Sequence, residues 1–242
     1  VKGGKQLPMF LGVADVVADA RGFIRTGHER VLKARLADAR FFWEQDLKAG
    51  FQKSAPRLKQ VLFQEKLGSY DDKAKRLEKL TAYLCGKIES CKKAAELRQA
   101  ASLCKVDLVT EMVREFPSLQ GTMGGLYAKA EGLPQPAVRA IAEHYLPAGA
   151  DDPSPASLEG AILSLADKID SIVGVVGVGV QTSGSSDPFG LRRNALGVCK
   201  IILDKKLSLP FNRLLEKSIS FHGDKLKVPK AEILDRLREF FS

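Results

Sequence analysis

The sequence predicts a mainly α fold with a short strand near its N-terminus. After Phe23, apolar residues recur at spacings of three and four, the period of one helix face. Pro and Gly fall at the joints between these segments, at Pro56, Gly68, Pro117, Gly121, Pro147 and Pro188. The composition, 45% apolar and 28% charged over 242 residues, suits a chain with a sizeable buried core.

Residues 1–49 read as the end of a preceding domain with a linking helix, and 50–242 as one helical domain. The apolar run 9–13 reads as a strand whose partner lies elsewhere. Beyond it Leu32, Leu36, Ala39, Trp43 and Leu47 line one helix face. Arg30, Lys33 and Arg40 fall in a narrow arc on the other side, beside Phe41, where a phosphate backbone can be tracked. Pro56 opens a helix over 56–67 that Gly68-Ser69 stops, and another runs from 70 to about 90. Segments 94–104 and 106–116 form one helix or two, and 136–145 another. Leu158, Ile162, Leu165, Ile169, Ile172 and Val176 make the most regular apolar stripe in the chain. Asp187-Pro188 starts a further helix as cap and first residue, with Arg192 and Arg193 in the turn that follows. Two helices close the chain near 211–220 and 230–241. No strand is expected after the first twenty residues.

Charge bears on function. There are 38 Lys and Arg against 29 Asp and Glu, a net charge of +9. Residues 1–100 hold 21 basic and 12 acidic residues, 101–200 hold 8 and 11, and 201–242 hold 9 and 6. Basic ends around an acidic middle suit a polyanion such as nucleic acid. No apolar run approaches the ~20 residues of a membrane span, so no membrane partner is expected. Three of the four cysteines fall in helical apolar patterns and no CxxC occurs, so buried free thiols in a reducing compartment are expected. His28, His144 and His222 are far apart and signal no metal site. Gly174, Gly177 and Gly179 follow a helix in an order reversed from the dinucleotide fingerprint. Two acid pairs remain as candidate cation ligands: Asp107 with Glu111, and Asp167 with Asp170. The simpler reading makes them solvated helix faces, with Asp167 opposite the apolar stripe.

Longer strings narrow the choice. VLKARLADARFFWEQD (31–46), RLKQVLFQEKLGS (57–69), CKVDLVTEMVREFPSLQGTMGGLYA (104–128), LADKIDSIVGVVGVG (165–179) and SDPFGLRRNALGV (186–198) resemble the β subunit of bacterial-type glycyl-tRNA synthetase. The resemblance covers roughly residues 8–205 and implies an HD-phosphohydrolase-like helical bundle entered from a preceding domain. It implies glycine tRNA and the α subunit as partners and a cytoplasmic location. It places ATP, Mg and glycine activation on the α subunit, and no cofactor in this part of the chain. The positions resembling the HD ligands are degenerate. Lys75-Arg76-Leu77-Glu78 stands at the upstream histidine, and Cys104-Lys105-Val106-Asp107 at the His-Asp pair. Only the later acid, Asp167, fits. The resemblance therefore implies the fold, while the departures argue against a metal and against hydrolysis. The leading expectation is a tRNA-contacting, non-catalytic module using Arg30, Lys33, Arg40, Arg192 and Arg193. The alternatives are a metal-dependent phosphohydrolase and a scaffold for the α subunit.

Overall fold

The computed structural model describes residues 7–16, 18–180 and 189–241. Its helices are α1 (Phe23–Ala49), α2 (Tyr70–Cys85), α3 (Ala94–Leu103), α4 (Glu111–Glu115), α5 (Thr122–Ala130), α6 (Gln135–Glu143), α7 (Leu158–Gly177), α8 (Leu191–Asp204), α9 (Phe211–His222) and α10 (Lys230–Phe241). A hairpin of β1 (Leu62–Gln64) and β2 (Gly68–Ser69) pairs antiparallel. The mainly α expectation holds. The chain divides into two compact units, Val1–Phe41 and Phe42–Ser242, and the division falls within α1.

In the larger unit α7 is the axis. It packs against α2, α3, α6, α8, α9 and α10. A helix surrounded in this way has no solvent side, and almost every residue from Gly160 to Gly177 is buried. Its start is fixed by Ser157, whose Oγ accepts the Gly160 N–H at 2.9 Å. The Glu143 carboxylate in turn accepts the Ser157 N–H at 2.9 Å. Gly174 has no side chain because a Cβ there would lie 2.8 Å from both His222 and Leu67. α2 begins with a reciprocal cap: Ser69 Oγ accepts the Asp72 N–H, and the Asp72 carboxylate accepts the Ser69 N–H.

The last turns of α1 belong to this unit. Asp46 is buried, and its carboxylate accepts the Glu111 and Met112 N–H groups at 2.9 and 3.0 Å and the Tyr127 hydroxyl at 2.7 Å. Trp43 stacks on Tyr127 with ring centres 4.9 Å apart.

In the smaller unit, Asp19 accepts the Ile24 and Arg25 N–H groups at 3.3 and 3.0 Å and so closes the start of α1. A groove of about 1230 Å³ lies between the segment before α1 and the first turns of that helix, with Met9, Phe10, Leu11, Ile24, Leu32 and Leu36 in its walls.

Four expectations are corrected, and the choice left open over 94–116 falls to two helices. Residues 9–13 form no strand; the run is exposed, and no second strand lies beside it among the described residues. The helix expected over 56–67 is a 3-10 helix, Gln52–Gln60, followed by the hairpin. The Gln64 side chain accepts the Lys66 and Leu67 N–H groups, and Gly68 adopts φ +93, so the chain turns back there. Segment 94–116 breaks into α3, a 3-10 turn (Val106–Val109) and α4, the last capped by Thr110 and Asp46. α8 begins at Leu191 behind Gly190 in the left-handed region; Phe189 is not helical, and the Asp187-Pro188 cap lies outside the described residues. Finally, Cys85 and Cys91 form a disulfide, where free thiols are expected. Cys104 is free and buried, and Cys199 is free and exposed.

Candidate functional site

Lys105 and Asp167, two of the positions that the resemblance marks as degenerate ligands, meet in the core of the larger unit and bring unexpected partners. Lys105 follows α3, and its side chain is almost fully buried. Its Nζ donates to Asp167 Oδ2 at 2.8 Å and lies 3.0 Å from His144 Nε2 and 3.9 Å from the centre of the Tyr145 ring. One turn along α7, Asp170 accepts from Arg76 Nε at 2.7 Å and Nη2 at 3.1 Å, and from Lys73 Nζ at 3.0 Å. Lys73 Nζ also lies 3.0 Å from Asp167 Oδ1, so it bridges both acids. His222 Nε2 stands 3.3 Å from Asp170 Oδ1.

The spacing explains the assembly. Lys73 and Arg76 are three apart on α2, and Asp167 and Asp170 are three apart on α7, so two charged stripes of the same period face each other. Charges survive in a dry core only when paired and hydrogen-bonded.

The titration behaviour follows. Burial raises the pKa of Asp167, but the Lys105 and Lys73 ammoniums outweigh it and hold the carboxyl well below the usual range. Asp170 is likewise lowered, burial being overcome by Lys73 and Arg76. Burial works to lower Lys105, yet the Asp167 carboxylate leaves it raised. His144 is pushed down to about 3 by burial and by the Lys105 charge. A neutral ring accepts from Lys105 at Nε2, so its Nδ1–H donates to Ile141 O at 2.7 Å. His222 is lowered to about 4, chiefly by burial. Asp107 is raised to about 6 by burial, although the Gly121 N–H donates to its Oδ2.

Two site expectations are corrected. Asp167 does not face solvent; it is buried against two ammoniums. Asp107 does not share a helix face with Glu111. It sits on the 3-10 turn and is fully buried, while Glu111 opens α4 and pairs with Arg114 at 3.2 Å. Sequence reasoning paired Asp167 with Asp170 but missed Lys73, His144 and His222 as members of the same centre. The available signal was the pair of matched three-residue spacings, 73/76 and 167/170.

A divalent cation does not fit these residues. The space between Asp167 and His144 is filled by the Lys105 ammonium, and a second ammonium holds the other Asp167 oxygen. Among the described residues no three His, Cys, Asp or Glu side chains converge as metal ligands would.

The surface candidates stand apart from this centre. Arg30, Lys33 and Arg40 are exposed on α1, and Lys33 borders the groove of the smaller unit beside Glu29, Leu32 and Leu36. Arg192 and Arg193 are exposed on the first turn of α8, and the Arg193 guanidinium folds back toward Gly190. Among the described residues no helix is long and apolar enough to cross a membrane.

Comparison with known proteins agrees with the strings. A family model described as the glycyl-tRNA synthetase beta subunit matches residues 1–242. A glycine–tRNA ligase beta subunit of Solidesulfovibrio magneticus is 45% identical over 241 residues, which is 99% of this chain and 34% of that protein. Its namesake in Halalkalibacterium halodurans is 42% identical over 246 residues, covering all of this chain and 35% of the relative. The one in Geotalea daltonii is 45% identical over 238 residues, 98% of this chain and 34% of the relative. The chain thus spans about a third of the length of the curated relatives it matches. With its whole length matched by one family model and nearly half its residues shared with such relatives, the chain belongs to the glycyl-tRNA synthetase beta subunit family.

Proposed function

We propose that this chain is a tRNA-contacting, non-catalytic module of a glycine–tRNA ligase, supporting attachment of glycine to its tRNA. Its larger unit follows the HD-type helical plan with an ion-pair core in place of a metal centre. The observation that carries this reading is Lys105. Its ammonium sits between the one retained acid, Asp167, and His144, where a hydrolytic centre needs a cation and a water. A family member that keeps the scaffold and fills the centre is left with its surface to act through. That surface is basic, at +9 net charge, and carries Arg30, Lys33, Arg40, Arg192 and Arg193 in exposed positions. In the whole ligase, ATP and Mg serve the α subunit, the chain's partner, and the setting is the cytoplasm.

Titration of glycine tRNA at several salt concentrations tests the reading. Each lost phosphate contact lowers the slope of log K against log salt by about 0.9. Arg192→Ala with Arg193→Ala is expected to weaken binding and flatten the slope by about two, and the Arg30/Lys33/Arg40 triple Ala variant by about three. Folded variants of both kinds with unchanged affinity and slope would refute tRNA contact through these residues. Scaffolding of the α subunit is a second reading, favoured by Leu11 and Val13, which are 95% and 97% exposed. Loss of α-subunit capture in a Leu11→Lys/Val13→Lys variant is the outcome that reading expects.

A further inference from the structure

The loop between α2 and α3 carries chemistry that the buried centre does not use. Cys85 is the last residue of α2, Cys91 lies six positions on, and their sulfurs are bonded. We propose that this pair is a reversible dithiol–disulfide site, whose state sets how firmly loop 86–93 is held against the first turn of α7.

Access supports exchange. Cys91 is half-buried, whereas Cys85 is 7% exposed, so an incoming thiol or disulfide reaches Cys91 first. Lys87, Lys92 and Lys93 occupy exposed positions of loop 86–93 together with Glu89, so the loop carries more basic than acidic residues, the sign of charge that favours a thiolate. The other thiols are set apart: Cys104 is buried, its pKa pushed up to about 12 by desolvation, and Cys199 is exposed but has no cysteine bonded to it.

The oxidant is a small-molecule disulfide such as oxidised glutathione. The Cys91 thiolate attacks one of its sulfurs, forming a mixed disulfide and releasing one glutathione thiolate. The Cys85 thiolate then attacks the Cys91 sulfur and expels the second glutathione. Two electrons pass from the cysteines to the oxidant, and the two cysteine protons end on the two released thiols. Reduced glutathione runs the same steps backward.

The bond has a structural lever. Without it, the loop is held by Ile88, which is buried, and by a few turn hydrogen bonds: Lys87 N–H and Ile88 N–H to Leu84 O, and Cys91 N–H to Ile88 O. Cys91, Lys92 and Lys93 border a cavity of about 180 Å³ whose other wall includes Leu158, Glu159 and Ile162 of α7. Opening the bond frees the second half of the loop from the α2 end, leaving this poorly filled contact to hold it.

The test uses the full chain with Cys199→Ser, equilibrated in glutathione buffers of graded ratio, quenched with acid and mass-tagged on free thiols. Two tags are expected to disappear together as oxidised glutathione rises and to return as it falls. Trypsin, which cuts after Lys87, Lys92 and Lys93, is expected to cleave the reduced loop at least several-fold faster than the oxidised one. Cys85→Ser and Cys91→Ser variants, checked for folding by circular dichroism, should cleave at the reduced rate in every buffer. Thiols that stay free in pure oxidised glutathione would overturn the proposal. So would a disulfide that excess reduced glutathione does not open, or cleavage at one rate in both states.

Discussion

Lys105 and the groups around it set the largest single-residue effects. Replacing it with Met removes one cation from Asp167 and the donor from His144 while both stay buried. Breaking a buried pair on one side typically costs about 3–5 kcal/mol. That loss is expected for Lys105→Met in urea unfolding, with much of it regained in Lys105→Met/Asp167→Asn; a loss under about 1 kcal/mol would show the pair to be inert. The same core fixes the acid response. His144 and His222 have folded pKa values of about 3 and 4 against 6.5 when free, so between pH 6 and 4 the unfolded chain holds two extra protons. Asp107, at about 6 against 3.8, offsets one of them, because the folded chain is the one protonated there. One net proton favours unfolding, so stability is expected to fall as pH falls, by about 1.4 kcal/mol per unit. Asp167 and Asp170, both lowered, add their losses only below the ordinary carboxylate range. A urea midpoint that stays level from pH 6 to 4.5 would contradict this, and His222→Gln should flatten the decline. Residue identities at the centre were legible as positions, but their roles were not. Periodicity assigns a charged residue to the solvent side, and only the facing helix reveals that Asp167 and Lys73 form a buried ion pair.

Elements were legible in proportion to their length. α7, α9 and α10 match their apolar stripes because each buries a continuous face. The short pieces were hidden because their causes lie far along the chain. α4 has five residues and its first N–H groups are met by Asp46, a residue 65 positions earlier. The hairpin at Leu62–Ser69 was obscured by Gly68, which signals a helix end and a left-handed turn equally well. The disulfide escaped for a related reason: a six-residue spacing near a helix end says nothing of where the loop returns. Asp46 should therefore behave as an organiser of its neighbours. Asp46→Ala removes a cap from α4 and strands the Tyr127 hydroxyl, for about 2–3 kcal/mol together. Tyr127→Phe, which keeps the cap and the Trp43 stacking, is expected to cost about 1 kcal/mol. Thermal melts of the two variants that coincide would show that the cap contributes nothing.

At the scale of the molecule, the two units differ in how they treat apolar surface. The larger one encloses most of it around α7, with single side chains such as Leu62, Leu196 and Leu203 left exposed, whereas the smaller leaves Met9, Leu11, Val13 and Phe23 between 70% and 97% exposed. Such surface attracts dyes and other chains. Leu11→Lys/Val13→Lys is expected to reduce hydrophobic-dye fluorescence and self-association in sedimentation, with stability changed by no more than about 0.5 kcal/mol. Unchanged dye binding would place the sticky surface elsewhere. The mainly α character of the whole was plain from the sequence, because helices announce themselves locally. The exposure of the apolar run 9–13 was not, since a short continuous apolar run looks alike whether or not a neighbour covers it.

The ammonium between Asp167 and His144 also governs which sequences this chain can reach by single mutations. A step that exchanges Lys105 for a neutral ligand leaves Asp167 short of a cation before any metal has been gained. The resulting deficit of about 3–5 kcal/mol is comparable to the whole folding stability of a typical domain, about 5–15 kcal/mol. Changing Asp167 first strands Lys105 instead, while Lys73 keeps Asp170. Each route to a metal-holding core therefore runs through a poorly folded intermediate, while sequences that keep the ion pairs drift freely on their surfaces. The centre acts as a ratchet: descendants of this chain can acquire new contacts on the outside far more readily than they can acquire hydrolytic chemistry within.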